Sequence, residues 1–319
     1  MSLADTATPP YSARRTSTST FLPLRGLQVH LRSWGGPELV TPERPPLVML
    51  HGWMDVGASF QFVVDALAEA EGFERWVLAP DWRGFGLTST PAADTYWFPD
   101  YLADLDALLD AVLPTEVHPA IDLLGHSMGG NVVMSYAGLR PQRIRRLINL
   151  EGFGLPATKP EQAPKRVLQW LDELKTPQVL KSYDSVDEVA QRLMKNNPLL
   201  PADKAAWLAP HWARQEADGR WHILGDPAHK RVNPVLYQVA EVLQTWGQIS
   251  APVLWVEGDQ TQLAQWWGTR YSKEEFHQRL TVVRDVQKAL LAPCGHMLHH
   301  DQPEALAGHL RAFLGPRPA

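Results

Sequence analysis

Short apolar runs alternate along this chain with longer stretches in which apolar residues recur every three or four positions. The short runs predict strands at 18–24, 27–34, 47–50, 76–79, 121–124, 147–150, 253–256 and 288–291. The amphipathic stretches predict helices at 59–69, 101–112, 128–139 and 303–314. Several strands are apolar throughout, as central strands covered on both faces are. The alternation therefore predicts an α/β fold with a doubly wound, mostly parallel sheet.

This alternation stops between residues 156 and 247, where helical patterns follow one another without a strand. Helices are expected there at 165–175, 186–195, 202–214 and 234–246. We therefore predict a helical cap at 156–247, inserted into a core formed by residues 16–155 and 248–319. Residues 1–15 are rich in Ser, Thr, Pro and Ala, which is the composition of a poorly ordered tail.

Composition and charge narrow the function classes. A chain of 319 residues with 45% hydrophobic content can bury one large core. Thirty basic residues against 35 acidic ones give a net charge of −5, and without a basic block nucleic acid is not an expected partner. The single cysteine, Cys294, excludes an intrachain disulfide, and neither a signal-peptide pattern nor an apolar run of about 18 residues is present. We expect a cytoplasmic protein without a membrane span. The sequence leaves open whether the protein forms a homodimer.

The segment Gly-His-Ser-Met-Gly-Gly at 125–130 follows a predicted strand directly and leads into a predicted helix. A strand, a sharp turn that carries a serine, and a helix together form a nucleophile elbow. Its glycines let the chain turn where side chains would collide. The N-terminus of the helix directs free N–H groups at negative charge that forms beside Ser127. We therefore predict Ser127 as a nucleophile and the N–H of Met128 as a donor to an oxyanion.

A serine hydroxyl needs a base near neutral pH, and that base needs a group that orients it. His296 follows the last predicted strand, so its loop is expected at the sheet edge where the elbow lies. Two carboxylates follow strands and could orient the imidazole: Glu151 after the sixth strand and Asp259 after the seventh. The residues alone leave both acids open.

The loop His51-Gly52-Trp53 follows the third predicted strand and supplies the candidate for a second oxyanion donor. Gly52 permits close backbone approach, so the N–H of Trp53 can face the reacting atoms. His299 and His300 raise the alternative of a metal site. Because no carboxylate or second cluster stands at a familiar ligand spacing, we expect no metal there and predict that both histidines flank the final helix.

Four segments together resemble the α/β-hydrolase superfamily: HGW at 51–53, DWRGFG at 81–86, GHSMGG at 125–130 and CGHMLHHDQPE at 294–304. The combination HGWMD at 51–55 is similar to the serine-hydrolase-like branch and, more distantly, to the haloalkane dehalogenase group. The resemblance implies an α/β-hydrolase fold with an eight-stranded, mostly parallel sheet and a helical cap after the sixth strand. It also implies a Ser-acid-His triad and neither a metal nor an organic cofactor.

The resemblance ranks the two acids. In most of the superfamily the acid follows the seventh strand, three residues after a glycine, and that count from Gly258 reaches Thr261. Dehalogenase-like enzymes place the acid after the sixth strand, at a spacing beyond the nucleophile similar to that of Glu151. The resemblance therefore implies Glu151, with Asp259 as the alternative. Because Ser127 stands where dehalogenases carry an aspartate, acyl transfer to a hydroxyl is favoured over halide displacement.

These inferences predict a serine hydrolase of the carboxylesterase type that cleaves an ester or a similar acyl compound through an acyl-enzyme. A tryptophan-rich cap indicates a small or medium hydrophobic substrate. Two alternatives stay open. The same triad could cleave a lactone or a carbon-carbon bond next to a ketone, or the fold could bind a small ligand without hydrolysing it.

Overall fold

Strands and helices alternate along most of the chain, which a computed structural model describes over residues 10–69 and 74–315. The strands are β1 (Thr18–Leu24), β2 (Leu27–Trp34), β3 (Leu47–Leu50), β4 (Val77–Pro80), β5 (Ile121–His126), β6 (Ile144–Leu150), β7 (Ser182–Tyr183), β8 (Ala213–Gln215), β9 (Trp221–Ile223), β10 (Val253–Gly258) and β11 (Val286–Leu291). The helices are α1 (Gln61–Ala68), α2 (Phe98–Val112), α3 (Met128–Leu139), α4 (Ala163–Leu174), α5 (Val186–Asn196), α6 (Ala202–Trp212), α7 (Val239–Trp246), α8 (Ala264–Trp267), α9 (Lys273–Leu280), α10 (Leu298–Asp301) and α11 (Pro303–Leu314). None of these described helices combines the length and the apolar character that crossing a bilayer requires.

Eight strands form one sheet in the order β1-β2-β4-β3-β5-β6-β10-β11. β2 runs antiparallel to β1 and β4, and every other neighbouring pair is parallel. The mostly parallel, eight-stranded sheet predicted from the sequence is therefore confirmed. The chain winds from β3 to β4 in one direction and to β5 in the other, so the winding reverses at β3. Ligands of open α/β sheets bind outside the carboxyl ends of the strands at such a reversal.

Helices cover both faces of this sheet, and successive strand residues divide between two apolar cores. In β3, Val48 and Leu50 pack into one core, while Leu47 and Met49 pack into the other. This division follows from the period of two in a strand, which sends neighbouring side chains to opposite faces. Burying one such side chain stabilises the fold by about 1.5–3 kcal/mol, so two continuous cores hold the sheet edge rigidly in place.

The insertion between β6 and β10 differs from its sequence prediction in two ways. α4, α5 and α6 lie near their predicted positions, but β7, β8 and β9 form a small antiparallel sheet where only helices were expected. Strands of two or three residues are too short to produce an alternating pattern. α7 begins at Val239 rather than 234 and packs on α3, where a Cβ on Gly138 would meet the carbonyl oxygen of Thr245 at 2.0 Å. Although predicted within the cap, α7 thus covers the core.

The segment before β1 is held by a buried carboxylate of α1. Asp65 accepts hydrogen bonds from the hydroxyl of Tyr11 at 2.5 Å, from the N–H of Arg14 at 3.0 Å and from the N–H of Arg15 at 2.8 Å. Residues 10–15, expected within a poorly ordered tail, are therefore attached to the core. The composition gave no sign of this because the anchor is a side chain 50 positions away in the sequence. The first nine residues of that tail lie outside the described ranges.

Candidate active site

A turn of a single residue, Ser127, joins β5 to α3 at the carboxyl edge of the sheet. Its φ of 52° and ψ of −114° are a conformation that residues other than glycine rarely adopt. A Cβ on Gly125 would lie 2.3 Å from the carbonyl oxygen of Gly129, and a Cβ on Gly129 would lie 2.2 Å from that of Leu50. Only glycine fits at either position, so the motif is a packing requirement of the predicted elbow.

The hydroxyl of Ser127 faces the imidazole of His296. Its Oγ lies 2.9 Å from Nε2, a hydrogen-bonding distance. The histidine stands on the loop after β11, which is parallel to β10 and ends at the same edge of the sheet as β5. The side chain of His296 keeps 23% of its surface exposed, so a bound molecule can reach it. Trp266 covers one side of the ring, with ring centroids 4.6 Å apart.

Glu151, rather than Asp259, contacts the other nitrogen of this imidazole. Oε2 of Glu151 lies 2.6 Å from Nδ1 of His296, and the side chain of the glutamate is completely buried. Oδ1 of Asp259 instead accepts a hydrogen bond from the N–H of Cys294 at 2.8 Å. Of the two acids that the sequence left open, the structure brings only Glu151 to the histidine.

Two further donors hold the carboxylate of Glu151. The N–H of Gly258 donates to Oε1 at 2.7 Å, and the hydroxyl of Thr261 donates to Oε2 at 2.9 Å. A buried carboxylate needs several such partners, and together they fix its orientation toward His296. From the sequence, Thr261 was expected only at the vacant position of the usual acid, and its contact with Glu151 was not predicted. The position itself was the signal, because the residue there reaches the carboxylate that contacts the imidazole.

A second histidine positions the loop that carries His296. Nε2 of His126 lies 2.8 Å from the carbonyl oxygen of His296 and donates a hydrogen bond to it. Burial, together with the neighbouring charges of His299 and His296, holds the pKa of His126 well below its usual range. The neutral ring therefore has one N–H, and that N–H is used to fix the loop. This role of His126 was not predicted, because the residue precedes the nucleophile inside the elbow motif, where the pattern points only to the serine.

The two predicted oxyanion donors belong to residues that border Ser127. Met128 begins α3, and its N–H is among the first four of the helix, which have no intrahelical acceptor. A Cβ on Gly52 would lie 3.1 Å from Cβ of Ser127, so the backbone that leads into Trp53 packs directly against the serine. Trp53 and Met128 both line the cavity above Ser127.

Asp55, His299 and His300 form a buried group whose ligand atoms all lie within 4.8 Å of one another. Of the residues that the structure describes, these three could supply ligands to a metal ion, and Asp55 is a carboxylate that the sequence spacing did not reveal. The hydroxyl of Ser59 already donates to Oδ2 of Asp55 at 2.9 Å. Burial would raise the pKa of Asp55, but the nearby imidazoles outweigh it and hold that pKa below its usual range. Both histidines lie in α10, directly before α11, and none of the three residues lines the cavity.

The cavity above Ser127 and His296 has a volume of about 1130 Å³. Aromatic side chains form much of its wall: Trp53, Tyr96, Trp97, Phe98, Tyr101, Phe153, Tyr237, Trp246, Trp266 and Trp267. Eight of these ten lie outside the predicted cap at 156–247, on loops of the core and on α2 and α8. Of the five tryptophans in the predicted cap, only Trp246 of α7 is among them, so the cap supplies little of the apolar lining.

The sequence profile of the alpha/beta hydrolase fold family matches residues 45–303 of this chain. The chain belongs to the α/β-hydrolase fold family. The family resemblance predicted from the four motifs is therefore confirmed, and so is the predicted fold class.

Relatives of this α/β-hydrolase span nearly its whole length. The serine hydrolase-like protein of Danio rerio is 25% identical over 317 residues, covering 95% of this chain and 90% of the relative. The cis-3-alkyl-4-alkyloxetan-2-one decarboxylase of Shewanella oneidensis is 24% identical over 306 residues, covering 92% and 87%. The solved thioesterase domain from the curacin biosynthetic pathway superposes with a TM-score of 0.78 at 26% identity, covering 92% of this chain and 99% of that domain. Fold and relatives together support a hydrolase.

Proposed function

We propose that this protein is a serine hydrolase that cleaves a carboxylic ester, or a similar acyl compound, through an acyl-enzyme. The observation that carries the proposal is one hydrogen-bonded path across three distant segments. Oγ of Ser127 lies 2.9 Å from Nε2 of His296, and Nδ1 of His296 lies 2.6 Å from Glu151. A nucleophile, a base and an orienting acid in this order are the arrangement that acyl transfer to serine requires.

In the proposed mechanism, Oγ of Ser127 attacks the acyl carbonyl while its proton passes to Nε2 of His296. Glu151 accepts the proton of Nδ1 in a hydrogen bond, so the Nε2 lone pair stays directed at the serine. The N–H groups of Trp53 and Met128 donate to the oxyanion, and each such donor contributes roughly 3–4 kcal/mol to the transition state. His296 then protonates the leaving alcohol. Water attacks the acyl-enzyme by the reverse path, which releases the acid and restores the serine.

The cavity supports a substrate with an apolar acyl or alcohol part of small to medium size. A volume of about 1130 Å³ exceeds the usual range of about 300–1,000 Å³ for ligand pockets, so it accommodates more than a short acyl chain. Trp53 and Trp266, beside the serine and the histidine, offer flat apolar surfaces to such a group.

A panel of 4-nitrophenyl esters with acetyl to dodecanoyl chains tests this proposal. The wild-type protein should release nitrophenolate with a preference for medium chains, and Ser127→Ala should lower kcat at least about 10⁴-fold. A circular dichroism spectrum of the variant controls for folding. Absence of turnover with every chain length, or an active Ser127→Ala protein, would contradict the proposal.

Cleavage of a four-membered lactone is a second candidate. It is favoured by the Shewanella oneidensis relative, which is named for its action on an oxetan-2-one and covers 92% of this chain. A serine hydroxyl can attack the carbonyl of such a ring as it attacks an ester. Mass spectrometry of the products separates the outcomes, because hydrolysis gives a β-hydroxy acid whereas decarboxylation gives an alkene and carbon dioxide. With Ser127 as nucleophile we expect the β-hydroxy acid.

A further inference from the structure

Four basic side chains line the cavity that contains Ser127: Lys159, Arg166, Arg231 and Arg270. Within residues 10–69 and 74–315, none of the four forms an ion pair with a carboxylate. Other arginines of the chain do, as Arg83 with Asp104 and Arg140 with Asp106 illustrate. An ester hydrolase with a purely apolar substrate has no need of unpaired positive charge in the wall of its cavity.

Neutral acceptors hold the two half-buried arginines of this group. Nη1 of Arg166 donates to the carbonyl oxygen of Asn233 at 3.0 Å, and Nη1 of Arg231 donates to those of Ala93 at 3.2 Å and Asp94 at 3.1 Å. Carbonyl oxygens orient a guanidinium but leave its charge uncompensated. Neither guanidinium is therefore neutralised by the groups that hold it.

The acidic groups nearby do not cancel this charge. Glu173 lies close to the same segment and accepts the N–H of Val232 at 2.6 Å, but it does not line the cavity and forms no ion pair with the four basic residues. Glu241 is exposed on the cavity wall, and Glu151 is already held beside His296. Four basic side chains therefore stand against two carboxylates, Glu151 and Glu241, among the residues that line the cavity, so the wall carries net positive charge.

We propose that Arg166 and Arg231, with Lys159 and Arg270 at the exposed part of the wall, bind an anionic group of the substrate. The guanidinium presents two parallel N–H donors that match the oxygens of a carboxylate, sulfate or phosphate. The substrate is then amphipathic, with an apolar part against the aromatic wall, an acyl bond at Ser127 and an anionic group at the arginines. This inference rests on the proposed function, since it identifies the substrate class of the same cavity.

Binding to the Ser127→Ala protein tests the anion site without catalysis. Isothermal titration calorimetry with octanoate, octyl sulfate and octyl phosphate is compared with the uncharged octyl glucoside. The anionic ligands should bind at least about tenfold more tightly, and their ranking identifies which oxyanion the site prefers. Adding Arg166→Gln and Arg231→Gln should weaken anionic binding by about tenfold for each arginine and leave octyl glucoside within about twofold.

A matched control is Arg214→Gln, because Arg214 also lies in the insertion but pairs with Glu216 and does not line the cavity. It should change neither affinity. Equal binding of charged and uncharged ligands, or equal losses for both in the double variant, would overturn the anion site.

Turnover separates this inference from the proposed function. In the background with intact Ser127, kcat/KM for the mono-4-nitrophenyl ester of adipic acid is compared with that of 4-nitrophenyl hexanoate. The double arginine variant should lower the first value about tenfold or more and leave the second within about twofold. Tight anion binding without turnover of either ester would refute the hydrolase and keep the site. Turnover of both esters with no change in the double arginine variant would support the hydrolase and refute the anion site.

Discussion

Glu151→Gln tests the structure more sharply than any deletion, because the shape of the side chain is kept and only its charge and one acceptor are lost. The amide oxygen must remain at the Oε1 position, since the N–H of Gly258 donates there at 2.7 Å and cannot rotate away. The amide NH₂ then faces Nδ1 of His296, which lies 2.6 Å from Oε2 in the wild-type protein. The hydroxyl of Thr261 can rotate to accept from it.

An NH₂ group that donates to Nδ1 forces the imidazole proton onto Nε2, which then cannot accept the proton of Ser127. A tautomer inversion of this kind lowers kcat by roughly 10⁴-fold, or about 5.5 kcal/mol in the transition state. Steady-state kinetics with the best 4-nitrophenyl ester measure the loss, and urea unfolding checks that the fold is kept. Glu151→Gln with more than a tenth of wild-type kcat would refute the assignment of the acid.

Asp259→Asn is the matched control. Its Oδ1 accepts the N–H of Cys294, and an asparagine oxygen can keep that hydrogen bond, so kcat should change less than about threefold. Thr261→Asp offers a gain of function in the Glu151→Ala background, because the Thr261 hydroxyl already lies 2.9 Å from the Oε2 position. Recovery of at least about tenfold is expected. Loss of activity in Asp259→Asn alone would mean that the other carboxylate is the acid.

Three further predictions concern stability. Burial and the charge of His299 lower the pKa of His300 to about 3. Below about pH 6.5 the imidazole is therefore protonated in the unfolded chain but not in the folded protein, so the free energy of unfolding decreases as the pH is lowered. Urea unfolding should lose about 2 kcal/mol from this residue between pH 7 and 5, and His300→Gln should lack that part of the change. Gly129→Ala should cost about 1–3 kcal/mol and at least tenfold in kcat, because its Cβ would lie 2.2 Å from the oxygen of Leu50; an unchanged urea midpoint would contradict this. Asp65→Ala should speed proteolysis near Tyr11, detected by N-terminal sequencing of the fragments, and an unchanged cleavage rate would contradict the anchor.

Local pattern predicted the sheet well because each strand of the core is long enough to show its apolar run. β1, β2 and β3 have their predicted bounds, and α3 and α11 begin and end where their patterns do. The short strands of the insertion were missed because two or three residues carry no periodicity. α7 was assigned to the cap because an amphipathic pattern shows that a helix has a buried face, not which surface covers it.

The residues of the candidate site also fall into two groups: those that local sequence features predict, and those that depend on contacts between distant segments. Ser127 and His296 were predicted because a turn motif and a loop after a strand are local features of the sequence. The choice between Glu151 and Asp259 needed a family resemblance, since parallel strands bring both to one sheet edge. The donor to Glu151 from Thr261 depends on how two loops meet across 110 positions, and no spacing rule predicts that.

The central claim is that Ser127 is made nucleophilic by His296, and active-site labelling followed by peptide mass spectrometry tests it most directly. A fluorophosphonate should add once to the wild-type protein, on the peptide that contains Ser127, with displacement of fluoride. The His296→Asn protein should react at least about 10³-fold more slowly. A folded wild-type protein that remains unlabelled, or one labelled at another residue with Ser127 unmodified, would contradict the account.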